Sequence, residues 1–243
     1  AGNVGNSFAY QVANENYDYY VIELSSFQLD GIYEFKPNIA ILLNITPDHL
    51  DRYDDLRAYA AAKARILSNA RHAVLNAQDL AVTAMAPAGL PISWFGEQTG
   101  DYRLVTREDG DWLCRGQTPL VAVSSLSLLG RHNVQNALAA LAIGSAAGFP
   151  DAAMITALKT FRGLPHRSEM LGWHAGRLWI NDSKATNVGA AVAGIQGLGR
   201  PLVLLAGGDG KGQDFAPLAA GLPPETRAAV VYGAAAGALV QAL

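Results

Sequence analysis

Cysteine is nearly absent from this chain of 243 residues: Cys114 is the only one. No disulfide can form within the chain, which excludes the small cross-linked secreted scaffolds. Long apolar runs are also missing, and none approaches the ~20 residues of a membrane-spanning helix. Neither sign of charge dominates, with 18 basic residues against 21 acidic ones and a formal net charge of −3. That balance lacks the basic footprint of a nucleic-acid binder and gives no global attraction to a membrane surface. Charged residues make up 16% of the chain and hydrophobic ones 50%, a globular rather than a disordered composition. Without a secretory signal peptide the expected compartment is the cytoplasm. The length suits one large domain or two ordinary ones.

What the chain does have is a series of short apolar runs, each closed by polar residues or glycine. Residues 19–24 and 39–45 are largely apolar, the pattern of strands buried on both faces of a parallel sheet. A helical pattern covers 55–70, and shorter strands are predicted over 72–76 and 92–95. Residues 101–130 read differently. Asp109-Gly110 is a hairpin signal between 102–106 and 112–115, so an antiparallel patch follows the α/β part. A helix is predicted over 133–147, with Asn133 as an N-cap candidate and Gly148 and Pro150 as its stop. Phe161-Arg162-Gly163-Leu164-Pro165 breaks the pattern and marks a boundary between 1–162 and 163–243. Beyond it, 169–173 and 177–180 form a hairpin around Ala175-Gly176. Strands over 202–206 and 228–232 are each followed by glycine and a helical pattern. The chain starts in a loop at Ala1 and ends at Leu243 inside an apolar helical pattern, so it is expected to be a piece of something longer.

Asn181-Asp182-Ser183-Lys184-Ala185-Thr186-Asn187 follows the apolar run Leu178-Trp179-Ile180. Polar residues at the carboxyl end of a strand in an open α/β sheet sit where ligands bind. Helix capping would use one of them, and the rest suit a polyanionic substrate with a small amino acid. Gly2-Asn3-Val4-Gly5-Asn6 precedes a predicted helix and is either an anion site or an ordinary turn. Glu23 ends its apolar run either as a Mg²⁺ ligand or as a solvated strand end. Thr46-Pro47-Asp48-His49-Leu50-Asp51-Arg52 places a histidine between two aspartates after the second strand, suited to a metal or a substrate.

Lys63 lies on the apolar stripe of Leu56, Tyr59, Ala60, Ile66 and Leu67. A buried ammonium is costly, so Lys63 either snorkels to solvent or is deprotonated and reactive, able to take up CO2 as a carbamate. Asn136 shares a helix face with Asn133, and an interior Asn has poor helix propensity. Gly207-Gly208-Asp209-Gly210-Lys211-Gly212 fails the nucleotide phosphate-loop pattern, because Leu205 and Gly212 stand where Gly and Ser or Thr are required. It still presents one lysine after a strand.

In this order, the motifs resemble the Mur ligases, the ATP-dependent amino-acid-adding enzymes of peptidoglycan synthesis, and within them the D-glutamate-adding branch. The resemblance runs from Gly2-Asn3-Val4-Gly5 through Glu23-Leu24-Ser25-Ser26-Phe27-Gln28, the 44–52 segment and Ala62-Lys63. It continues through Gly130-Arg131-His132-Asn133-Val134-Gln135-Asn136-Ala137, Gly163-Leu164-Pro165-His166-Arg167, the 181–187 segment and the 207–211 loop. Asp182-Ser183-Lys184-Ala185-Thr186-Asn187 is the part that looks specific to the D-glutamate branch.

The resemblance implies an α/β fold with two domains. A central parallel-sheet ATPase domain with an antiparallel patch spans 1–162, and a truncated Rossmann-like amino-acid-binding domain spans 163–243. The active site would lie in the cleft between them. It implies ATP and Mg²⁺ as cofactors and UDP-N-acetylmuramoyl-L-alanine and D-glutamate as substrates, joined through an acyl phosphate by a cytoplasmic monomer. Glu23, His49 and carbamylated Lys63 would serve Mg²⁺. Asn3, Ser25 and Gln28 would contact the sugar nucleotide. Asn136, His166, Arg167 and Asp182 would hold ATP, with Lys184 near the transferred phosphoryl group. Thr186 and Lys211 would receive D-glutamate. The family's phosphate loop is expected upstream of Ala1, so this piece alone is expected to be inactive. The alternatives are another ligase of the superfamily, such as a folate polyglutamylating one, or a catalytically silent nucleotide-binding module.

Overall fold

The computed structural model of the chain describes residues 2–3, 5–46, 52–128, 130–210 and 212–243. Their contacts divide into two units, residues 1–101 and 102–243. The first unit begins with α1 (Phe8–Asn14), capped by Ser7, whose hydroxyl accepts from the Tyr10 N–H. After α2 (Ser26–Asp30) come β1 (Ile39–Leu42), α3 (Leu56–Ala64), β2 (His72–Asn76), α4 (Leu80–Ala84) and β3 (Ile92–Phe95). β2 pairs in parallel with both β1 and β3, and a helix makes each crossover, as parallel pairing demands. Ala73, Val74 and Leu75 of β2 are completely buried, whereas β1, expected to be buried on both faces, alternates, with Ala40 and Leu42 buried and Ile39 and Ile41 half-buried. Tyr59 of α3, Leu67 and Val82 of α4 pack with Ala40, Leu42, Ala73 and Leu75 into the core.

Two further expectations for this unit change. Among the described residues, 19–24 shows one isolated parallel bridge, between Glu23 and Gly2, and Tyr19 and Val21 are exposed. Burial on both faces needs layers packed above and below a strand, and an apolar pattern alone does not supply them. The helix over 55–70 is shorter than its pattern: α3 starts at Leu56, after the N-cap Asp55, whose carboxylate accepts from the Ala58 N–H, and gives way to a 3₁₀ turn at Arg65–Leu67.

The second unit opens with an antiparallel meander of β4 (Tyr102–Arg107), β5 (Gly110–Arg115) and β6 (Thr118–Ala122). Arg107 pairs with Gly110, so Glu108-Asp109 form the loop and Gly110, at φ +120°, is already in the strand. α5 (Arg131–Ala146) packs on β4 and on α6 (Asp151–Thr160). Arg115 bonds Asp151, which raises the guanidinium pKa. β7 (Glu169–His174) and β8 (Arg177–Asn181) make the second hairpin. Its turn residues Ala175 and Gly176 both have positive φ, which matches the twist of the flanking strands. Then follow α7 (Val188–Leu198), β9 (Val203–Gly207), α8 (Ala216–Gly221), β10 (Ala228–Tyr232) and α9 (Ala236–Ala242). β9 and β10 are parallel, and Ile195, Leu218, Ala235 and Leu239 form the core beside them. Among the described residues no helix is long and apolar enough to cross a membrane.

Candidate active site

The expected residues fall into two groups, one in each unit. In the first unit, Asn3 donates its N–H to the Glu23 carbonyl at 2.7 Å and its side-chain amide to Glu23 Oε1 at 3.3 Å. Gly2 stands at φ +95°, and a Cβ there would collide with the Glu23 carbonyl, so this close approach requires glycine. Ser25 caps α2, and the Ser25–Gln28 pair forms a capping box. Gln28 Oε1 accepts from the Ser25 N–H at 2.9 Å and from its hydroxyl at 3.1 Å, and Ser25 Oγ accepts from the Gln28 N–H at 3.3 Å. These two residues therefore have a structural role of their own, and a ligand would have to share or replace it. Ser26 is buried, and its hydroxyl has no partner among the described residues.

Lys63 lies in the last turn of α3 and is half-buried, its Nζ 5.7 Å from the centre of the Tyr59 ring. The stripe that it shares is shallower than its spacing predicts, because Leu56 is 37% exposed while Tyr59 and Leu67 are buried. Among the described residues no group of three or more His, Cys, Asp or Glu is placed to hold a metal ion. The exposed Glu23 carboxylate is nevertheless a hard oxygen donor of the kind Mg²⁺ takes singly or in pairs beside phosphate. Lys63 could join it only as a carbamate, since an ammonium has no lone pair to donate. His49 lies outside the described residues, as do Pro47, Asp48, Leu50 and Asp51.

Two residues that the sequence reading missed hold the strand end leading into that segment. Asn76 donates to the Leu43 carbonyl at 2.9 Å and accepts from the Gln78 N–H at 2.9 Å. Asp79 accepts from the Ile45 N–H at 2.8 Å with one oxygen and from the Val82 N–H at 3.0 Å with the other. The available signal was a polar residue closing a fully apolar strand, since a buried amide has to be paired.

In the second unit, the 181–187 segment is laced to the turn at 166–168. The Lys184 N–H donates to the His166 carbonyl at 3.0 Å, and the Asp182 carbonyl accepts from the Ala185 N–H at 2.9 Å. Asp182 Oδ1 accepts from the Ser168 N–H at 2.8 Å. His166 donates its N–H to Glu169 Oε2 at 2.8 Å, and its Nδ1 faces the Asn181 amide nitrogen at 2.8 Å. His166 and Ser168 both sit at positive φ, +65° and +45°, a costly conformation for residues with a Cβ that persists only where surroundings impose it. Asn187 is the one helix cap of the segment, accepting from the Ala190 N–H at 2.8 Å. Arg167, Lys184 and Thr186 are left exposed around Asp182's segment. Together they present two cations, a hydroxyl and a carboxylate, a set able to bind phosphate and a small polar substrate.

Asn136 is held from within α5, bonding to Asn133 Oδ1 at 3.3 Å, which confirms that the two share a face. Asn133 is not the cap. α5 begins at Arg131, with Gly130 at φ +98° preceding it and no side-chain cap, because only a glycine turns the chain into the helix at that angle. His132, just inside the helix, is hydrogen-bonded through Nε2 to Ser168 Oγ at 3.3 Å. Burial pushes its imidazole pKa down, and the Asp182 charge partly offsets this. At the end of β9, a Cβ on Gly207 would meet the Tyr232 carbonyl, and Gly208 turns at φ +104°. Lys211 lies outside the described residues.

The sequence profile described as the Mur ligase middle domain matches residues 4–144. The chain belongs to the Mur ligase family. It is 45% identical, over its whole length, to a UDP-N-acetylmuramoylalanine–D-glutamate ligase of Methylobacillus flagellatus and covers 54% of that protein. The chain thus spans about half the length of the curated relatives it matches. Its fold is that of solved Mur ligases. The UDP-N-acetylmuramate–alanine ligase of Thermotoga maritima superposes with a TM-score of 0.68 at 20% identity, covering 91% of this chain and 52% of that one. The MurF ligase of the same organism, solved in complex with ADP, gives 0.65 at 16% identity, covering 93% and 68%.

Proposed function

We propose that the protein carrying this chain is an ATP-dependent carbon–nitrogen ligase that adds D-glutamate to UDP-N-acetylmuramoyl-L-alanine in peptidoglycan synthesis. The observation that carries this is the 45% identity, across every part of the chain, to a ligase of that name. The chain contributes two domains, 1–162 for the nucleotide and 163–243 for the amino acid, and the ligase works as a cytoplasmic monomer.

A carboxylate and an amine do not condense in water unaided, so the alanyl carboxylate must first become a better acyl donor. One of its oxygens attacks the γ-phosphorus of ATP, the bond to the β-phosphate oxygen breaks, and ADP leaves. The amine of D-glutamate then attacks the acyl phosphate carbonyl, and inorganic phosphate leaves with the former carboxylate oxygen. Little of this is covalent work for the protein; its task is positioning and charge stabilisation. Asp182 accepts hydrogen bonds from ATP, and Asn136, His166 and Arg167 complete the nucleotide site. Lys184 neutralises the phosphoryl group in transfer. Asn3, Ser25 and Gln28 hold the sugar nucleotide. Thr186 and Lys211 take the side-chain carboxylate of D-glutamate. Glu23, His49 and Lys63 as its carbamate would hold Mg²⁺ through oxygen and nitrogen donors. When bound, Mg²⁺ neutralises the polyphosphate charge.

The test is an amino-acid panel on the full-length ligase with ATP and UDP-N-acetylmuramoyl-L-alanine. Phosphate release should require D-glutamate and ignore L-glutamate and L-alanine. Turnover with another amino acid, or with a folate in place of the sugar nucleotide, would overturn the assignment.

A further inference from the structure

Asp182 and His132 come from elements far apart in sequence and lie against the same face of α7. Gly194 and Gly197 are three residues apart, so they share that face. A Cβ on Gly194 would stand 2.6 Å from Asp182 Oδ2, and one on Gly197 would stand 2.5 Å from His132 Nδ1. A Cβ on Gly130 would crowd the same two ring atoms, 2.8 Å from His132 Cε1 and 3.0 Å from Nδ1. Three glycines thus leave the room that these two side chains occupy. Glycine inside a helix costs about 1 kcal/mol relative to alanine, so two on one helix face need a reason, and here they make space for a carboxylate and an imidazole.

Ser168 joins the two. Its hydroxyl meets His132 Nε2 at 3.3 Å, and its N–H donates to Asp182 Oδ1 at 2.8 Å. Ser168 holds φ at +45°, and a non-glycine residue stays there only when its surroundings over-determine it. Here it is gripped on its side chain by His132 and on its backbone by Asp182. The other ring nitrogen, Nδ1, is buried without a partner among the described residues, so Ser168 is the side-chain hydrogen bond that orients the ring.

We propose that His132 is a positioning residue: through Ser168 it fixes the direction of the Asp182 carboxylate, and so the fit of ATP, while Gly194 and Gly197 keep the space for both side chains clear. This rests on the assignment of Asp182 to the nucleotide. His132 touches no reacting atom, and its effect should reach only the substrate that Asp182 holds.

Steady-state kinetics on the full-length ligase separate this from a purely structural role. His132→Ala and Ser168→Ala each remove one hydrogen bond and should raise the KM for ATP about three- to tenfold. The kcat and the KM for D-glutamate should stay within about twofold, because those contacts do not run through Ser168. His132→Gln can place an amide near the position of Nε2 and should restore the KM for ATP, whereas His132→Asn, which reaches only the position of Nδ1, should not. Gly197→Ala should reproduce His132→Ala. Asp182→Asn is the control for the underlying assignment. If it leaves the KM for ATP unchanged, the nucleotide role of Asp182 falls and the inference falls with it. If it raises that KM while Ser168→Ala does not, the inference alone is overturned. A general loss of kcat and of affinity for all three substrates, with no rescue by glutamine, would also overturn it.

Discussion

Lys63 makes the strongest single-residue demand. It is half-buried on α3 beside the Tyr59 ring, and its proposed role requires an anion where the sequence supplies a cation. Lys63→Ala should lower ligase activity by at least the about 10–100-fold typical of groups that support a metal site. A short-chain carboxylate such as acetate or formate, added in solution, should restore part of it. An alanine variant that is active without additives would remove the carbamate from the mechanism. His132 gives a second prediction, through pH. Its pKa is lowered by burial, only partly offset by Asp182, and it faces Ser168 and the Gly197 turn of α7. A histidine that is harder to protonate when folded lets the unfolded chain take up the proton first. Stability relative to His132→Gln should therefore be full above the ordinary histidine pKa of ~6.5 and fall as pH drops below it. Denaturant melts of both proteins between pH 8 and 5 read this directly, and an advantage that grows on acidification would contradict it. His132 illustrates what sequence could not reveal. It was visible only as one polar residue in Gly130-Arg131-His132-Asn133, and its partner Ser168 lies 36 residues away.

At the scale of the element, the strand ends do most of the positioning. Asp79 caps α4 and at the same time holds the Ile45 N–H just past β1. Asp79→Ala should cost about 1–3 kcal/mol, a lost cap plus an unpaired half-buried amide, seen as a lowered urea midpoint with unchanged m-value. A change within a few tenths of a kcal/mol would mean that the segment is held by other contacts. The parallel strands β1 to β3 and the two hairpins were legible, because short apolar runs closed by polar residues and paired turn residues each leave a local pattern. Among the described residues, 19–24 forms an isolated bridge and no strand, and Tyr19 and Val21 are exposed, since burial is a property of what packs around a segment and not of its pattern. α7 was missed for the opposite reason. Gly189, Gly194 and Gly197 lower its intrinsic propensity, and its packing against α8 and the Ile195 core compensates. β6 was hidden by Pro119, which a sequence pattern counts against a strand.

For the whole molecule, the two site groups were legible as motifs at strand ends, but their roles came from family resemblance, because a lysine or an asparagine does not announce its ligand. Glu23 and Lys63 belong to one unit, and His166, Asp182, Lys184 and Thr186 to the other. The proposed chemistry makes one claim on both groups: the alanyl carboxylate gives up an oxygen to phosphate before the amide forms. The decisive measurement follows that atom. Full-length ligase is given UDP-N-acetylmuramoyl-L-alanine labelled with ¹⁸O in its carboxylate, together with ATP and D-glutamate, and the released phosphate is analysed by mass. One labelled oxygen is expected in each phosphate released during amide formation. Unlabelled phosphate accompanying the amide would contradict it.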